Sequence, residues 1–164
     1  MGLNMYEMYP FWNTLFRELG FTVKLSGWSN RKLYLKGQST IPSDTVCFPA
    51  KMVHGHIQQL IEMGVDAIFY PCLTYNIDEK TGDNHYNCPI VVSYAENLKN
   101  NVEAVAEGKV KYLRPFMAFT SEEILADRLV KLCNKECAIG EDEVREAVHA
   151  AWVEQIKAKN DIRE

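Results

Sequence analysis

The order of apolar patterns along the chain predicts an α/β fold with a parallel or mostly parallel sheet. Three observations carry that expectation. Helical stripes alternate with short strand-like runs, glycines at positions 20, 64 and 140 punctuate them, and no internal repeat, linker or low-complexity tract breaks up the 164 residues. That length suits a single domain able to bury a real core.

Phe11, Trp12, Leu15, Phe16 and Leu19 form a helical stripe over Tyr9 to Leu19, and Gly20 follows as its cap. Phe21 to Leu25 alternates in the manner of a strand, and a short helix is expected around Arg31 to Lys36. Ser43, Asp44 and Thr45 are all suited to cap a helix beginning near Cys47, which a first-turn proline tolerates because its missing N–H had no partner there. That helix runs through Met52, Val53, Ile57, Leu60 and Ile61 to Met63 and stops at Gly64. Gly55 lies inside it at a cost of about 1 kcal/mol against Ala, a placement that close packing would explain. Val65 to Tyr70 reads as a buried strand, 73 to 88 as a polar loop of the length that usually serves function, and Pro89 to Tyr94 as another strand. A helix around Glu96 to Ala106 and a strand at Val110 to Leu113 follow. Thr120-Ser121-Glu122-Glu123 reads as a capping box for a helix bearing Leu125, Leu129, Leu132 and Cys133. After Gly140 an acidic first turn opens the last helix, with Val144, Val148, Ala151 and Trp152 as its buried stripe.

A net charge of −4, with no basic cluster beyond Arg31-Lys32, removes the electrostatic ground for nucleic acid or an anionic membrane as partner. No apolar run reaches membrane-spanning length and no leader pattern opens the chain, so a cytoplasmic location is expected. Tyr6 stands where a myristoylation signal needs Ser or Thr. GxxxxGK[ST], GxGxxG, HExxH and GxSxG are all absent, so no catalytic residue is assigned and the chain alone does not read as a complete enzyme.

The chemistry that remains is thiol chemistry. Five cysteines, an odd number in a domain that does not need disulfides, indicate reduced thiols. Cys47, Cys72 and Cys88 each sit beside a proline at an element boundary, too far apart for the paired CxxC arms of a zinc ribbon and placed to be gathered by tertiary folding. In a parallel sheet, Cys47 opening a helix and Cys72 ending the next strand share the ligand-binding carboxyl edge. The helix N-terminus and Lys51 one turn on would favour a Cys47 thiolate, and His54 falls on the same helical face. The alternative is that these cysteines are small buried hydrophobes and that His54 and His56 are hydrogen-bonded packing groups. Cys88, ahead of its expected strand, would lie at the opposite edge, and it joins Cys47 and Cys72 as a metal ligand only if the loop returns to the rim through a short, shifted or antiparallel strand. Cys133 and Cys137 are one helical turn apart and could pair or bind metal, but at a helix end beside Leu132 packing is the better explanation of them. The loop Asp83-Asn84-His85-Tyr86-Asn87 either lines a ligand pocket or satisfies its own turns.

The segments Leu3-Asn4-Met5-Tyr6-Glu7, Ile41 to Lys51 with Val53-His54-Gly55-His56, Ala67 to Cys72 and Asp83 to Pro89 resemble an uncharacterised domain of the acyl-CoA dehydratase activase-related proteins, the CoA-substrate-specific enzyme activases. The resemblance covers most of the chain and is weaker in the two C-terminal helices. It implies a Rossmann-like or flavodoxin-like three-layer sandwich whose first strand is missing or shortened, carried within a much larger polypeptide beside ATPase modules. A more distant resemblance to the dehydratase subunits implies a 4Fe–4S cluster held by Cys47 and Cys72, with Cys88 departing from the pattern; Lys51 and His54, on the helical face of Cys47, and His85, in the polar loop, are the residues expected to contact the cofactor. Neighbouring ATPase and dehydratase-like domains and a CoA-type substrate are the implied partners. The other readings are a metal-free scaffold whose loop 73 to 88 holds a substrate or docks a partner, and zinc on the same thiolates.

Overall fold

The structure, a computed structural model, describes residues 2–163. Among these residues it contains seven α-helices and four short strands, an α/β chain. No helix among them is long and apolar enough to cross a membrane. The chain packs as two compact units, one of Met1–Tyr6, Lys24–Thr74 and Asn87–Phe116, the other of Glu7–Val23, Tyr75–Tyr86 and Met117–Glu164.

In the first unit the helices are α2 (Arg31–Gly37), α3 (Phe48–Glu62), α4 (Pro89–Asn101) and α5 (Glu103–Ala106), with strands β1 (Ala67–Phe69), β2 (Cys72–Leu73) and β3 (Lys111–Leu113). β1 and β3 are parallel, in the register Ala67↔Lys111, Ile68↔Tyr112, Phe69↔Leu113. β2 pairs with β4 (Phe116–Met117) in a second two-stranded sheet, where the Cys72 N–H donates to the Pro115 carbonyl at 2.9 Å. The core joins Ala50, Val53 and Ile57 of α3 to Ile68 and Tyr70 of the strand region and to Tyr94, Ala95 and Leu98 of α4. Asn30 caps α2 by accepting from the Leu33 N–H at 2.9 Å. α2 crosses α3 at glycine: an ideal Cβ on Gly55 would lie 2.0 Å from the Leu33 carbonyl oxygen, and one on Gly37 would lie 2.2 Å from the Gly55 nitrogen. Close approach is therefore the reason for Gly55, as the sequence led us to expect.

The second unit holds most of α1 (Met5–Glu18) together with α6 (Glu122–Cys137) and α7 (Glu141–Arg163). Phe119 is fully buried among aromatic rings, edge-on to Phe11 at 4.8 Å and stacked on Trp152 at 6.0 Å. Pro10 lies inside α1 and cannot donate to the helix ladder. One residue on, the buried Gln155 side chain accepts from the Phe11 N–H at 3.1 Å and donates to the Glu7 carbonyl at 2.9 Å, bridging an i→i−4 pair beside the proline. Gln155→Leu should cost about 2 kcal/mol, because two buried backbone groups lose that partner. Urea denaturation with an unchanged m-value would check it.

Several expectations change. The extended sheet of a three-layer sandwich is not formed among the described residues, which hold two two-stranded sheets. Phe21 to Leu25 forms no strand, since an alternating run becomes one only where a neighbour accepts its backbone bonds. Pro89 to Tyr94 is helical: Pro89 opens α4, where its missing N–H is harmless, and Tyr94, Ala95 and Leu98 recur at helical spacing on its buried face. α3 is capped by the Cys47 backbone with no side-chain cap bond, while the Ser43 and Thr45 hydroxyls bond each other at 2.8 Å. The N-cap of α6 is Ser121, which accepts from the Ile124 N–H at 3.2 Å, one residue later than the capping box suggested.

Candidate functional site

Because β1 and β3 are parallel neighbours, α4 between them must run back against the strands and so starts at their carboxyl edge. α3 packs on the same core and turns through Gly64, at φ +65, into the amino end of β1, so its own amino end faces that edge too. Cys47 and Cys88 are the N-cap residues of these two helices, with closely similar backbones (φ −59, ψ 147 and φ −51, ψ 139). Each is followed by proline in the first turn, neither makes a side-chain cap bond, and both are exposed. Cys72 follows β1 at the same edge but is fully buried in the core. The reassignment of Pro89 to Tyr94 as helix thus moves Cys88 from the far edge to the one carrying Cys47.

Sharing an edge is not convergence. No three His, Cys, Asp or Glu side chains among the described residues are arranged to hold a metal ion. Burial pushes the Cys72 thiol pKa up, and the nearby Glu96 carboxylate adds to the rise, so its thiolate is disfavoured. Lys51 donates to the Asp44 carbonyl at 2.7 Å, which engages its ammonium at the loop ahead of α3. Maleimide labelling with peptide mapping should therefore modify Cys47, Cys88 and Cys137 quickly in the native protein. Cys72, fully buried, should react only on unfolding, and its fast native labelling would contradict its enclosure.

Beneath the edge lies a buried polar chain. The Thr40 hydroxyl donates to the Gly37 carbonyl at 2.9 Å and contacts His54 Nδ1 at 2.7 Å, while His54 Nε2 meets the Tyr94 hydroxyl at 2.9 Å. With the Thr40 proton committed to Gly37, Nδ1 carries the His54 proton and donates to Thr40, and Nε2 accepts from Tyr94. His54 is fully buried, and burial lowers its pKa to about 4, so the ring is neutral at pH 7. Tyr94 is shifted upward, first by burial and then by the nearby Cys47 sulfur. The chain Thr40–His54–Tyr94 therefore fixes the orientation of the Tyr94 phenol. Tyr94→Phe should cost about 1 to 2 kcal/mol by stripping Nε2 of its donor, read as a fall in thermal midpoint. His56 is buried between the Ser26 and Ser29 hydroxyls, each 2.9 Å from a ring nitrogen, which makes it a satisfied packing group.

His85 belongs to the second unit. There the loop 75–86 doubles back through the Tyr75↔Tyr86 bridge and a 3.0 Å bond from the Asn76 N–H to the His85 carbonyl. His85 packs on Tyr75 at 5.3 Å, and the loop encloses a polar hollow of about 180 Å³ lined by Glu7, Asn76, Asp78, Glu79, His85 and Lys159. Lys159 pairs with Glu7 at 3.0 Å and with Glu79. The loop also satisfies itself, since Asn84 Oδ1 accepts from the Tyr86 N–H at 2.9 Å.

Tyr94 and Lys159 are absent from the sequence-based candidates. The Ile90–Tyr94–Leu98 spacing after a proline was the signal for Tyr94, whereas nothing local marks Lys159 off from Lys157, the other lysine of α7.

A family model described as the CoA enzyme activase uncharacterised domain matches residues 1–164. No curated protein and no solved structure matches the chain.

Proposed function

The chain belongs to the family of the CoA enzyme activase uncharacterised domain, and from that premise we propose that it is a cytoplasmic module of an activase and dehydratase-like system, contributing cysteine ligands to an iron–sulfur cluster in ATP-driven electron transfer. The observation that carries this reading is the pair of exposed N-cap cysteines, Cys47 and Cys88, on two helices opening at one sheet edge. Amino ends of helices favour anionic sulfur. The donor set in this chain is incomplete: two exposed sulfurs are half of the four thiolates a 4Fe–4S cluster takes, and Cys72 is enclosed with its pKa raised. The remaining ligands then come from a neighbouring dehydratase-like domain, and an ATPase domain completes the partnership. A bound cluster would supply one-electron chemistry. This chain's own part is to present the two sulfurs. In the same reading the β1–β3 pair is the kernel of a Rossmann-like or flavodoxin-like sheet that strands outside this chain extend.

The metal-free alternative rests on the hollow in the second unit. Three carboxylates, Glu7, Asp78 and Glu79, line it, while Lys159 is already paired with two of them. That balance repels the phosphates of a CoA-type substrate and suits a docking partner better.

Anaerobic reconstitution with iron and sulfide, followed by absorption and EPR spectra, tests the leading reading. We expect a cluster in the chain joined to its neighbouring domains, lost in Cys47→Ser and Cys88→Ser and retained in Cys72→Ala. No cluster in any form of the protein leaves the scaffold reading.

A further inference from the structure

We propose that Cys133 and Cys137, one turn apart at the end of α6, form a two-thiol site for a soft, thiophilic ion, monovalent copper being the ion whose two-sulfur coordination matches the pair. The site lies wholly in the second unit and owes nothing to the cysteines at the sheet edge. On a helix, residues four apart hold their Cβ atoms about 5 to 6 Å from each other. A disulfide needs about 3.5 to 4.5 Å between them, so direct oxidation would have to break the last turn. Two metal–sulfur bonds of about 2.3 Å instead let the sulfurs stand up to about 4.6 Å apart, a span that side chains one helical turn apart can bridge without opening the helix.

The surroundings choose among metals. No third His, Cys, Asp or Glu joins the pair among the described residues, which withholds the four ligands zinc requires and leaves two soft donors. The pair is also asymmetric. Cys133 is 4% exposed on the apolar face that carries Leu125 and Leu129, while Cys137 is open to solvent. An ion can therefore enter at Cys137 and finish partly shielded from water at Cys133. An ion that bridges the two sulfurs is bound as it displaces their protons. Beyond Cys137 the helix ends at Ala138 in the left-handed region, φ 55, with its N–H bonded to the Asn134 carbonyl at 3.2 Å, so a bound ion would staple the final turn.

Phenylarsine oxide reports whether a single atom can bridge the two thiols in the folded protein. Its arsenic forms two As–S bonds, and its oxygen leaves as water with the two thiol protons. In a Cys47→Ser/Cys88→Ser background, native intact-mass measurement should show one adduct, lost in Cys133→Ser and in Cys137→Ser. One equivalent of monovalent copper, added anaerobically beforehand, should block it. Cys137 is exposed, so Cys137→Ser is the variant least able to disturb folding. An adduct that persists in Cys137→Ser, or that forms only after unfolding, overturns the site, and copper's failure to compete overturns the choice of ion.

Discussion

Gly55→Ala should be the most damaging single-methyl change in this protein, lowering stability by about 3 kcal/mol or more. The substitution ought to help α3 in isolation, because Ala is favoured over Gly by about 1 kcal/mol within a helix. Here the new Cβ would meet the Leu33 carbonyl oxygen at 2.0 Å and the carbonyl carbon at 2.7 Å. Both are backbone atoms, so no rotamer change relieves the clash, and α2 must move away from α3. That movement pulls buried Leu33 from its site and stretches the Thr40–His54 contact, which depends on the same crossing. Gly37→Ala should behave alike, since its Cβ would lie 2.3 Å from the His54 carbonyl carbon. Gly82→Ala and Gly140→Ala are the controls: open space surrounds both, and each should fall within about 0.5 kcal/mol of the parent. Urea denaturation of the four variants measures the contrast, and a Gly55→Ala protein of parental stability would refute the close crossing.

Acidification should unfold the first unit before carboxylate protonation does the rest. His54 and His56 are both buried and neutral, and burial lowers each from 6.5 to about 4. The unfolded chain therefore binds more protons than the native one between those values. Stability is full above about pH 6.5 and is lost as the pH falls toward 4. At 1.36 kcal/mol per unit, each histidine contributes on the order of 3 kcal/mol to that loss. The structural reason is donor count. A protonated His54 carries N–H on both nitrogens, so Tyr94 must stop donating to Nε2 and turn its own proton elsewhere in a buried site. Denaturation midpoints between pH 7 and 4.5 should fall steeply, and His54→Gln with His56→Gln should flatten the profile even where it lowers stability at pH 7. An unchanged slope in the double variant would place the acid sensitivity elsewhere.

Much of the fold could be read locally. α3, with Gly64 at φ +65 after it, and α6 and α7 with their buried stripes lie close to their expected positions, because cap, period and stop signals agree within each segment. The two strand misreadings share a cause. Phe21 to Leu25 has strand periodicity without a strand beside it, and Ile90-Val91-Val92 has β-branched composition inside a helix that Pro89 starts and the core-facing Tyr94, Ala95 and Leu98 hold in place. Tertiary packing overrides propensity in both.

By itself the sequence determined which residues could do chemistry, where most helices begin and end, and that Gly55 had to answer to a neighbour. Those are properties of near neighbours along the chain, set by backbone dihedrals and side-chain period. Only the tertiary structure decided which cysteines meet solvent, that Cys88 opens a helix at the edge carrying Cys47, and that Gln155 repairs the backbone beside Pro10 from 145 positions away in the chain. Exposure and hydrogen-bond partnership are set by whichever groups water is excluded from, and that exclusion is a property of the packed whole.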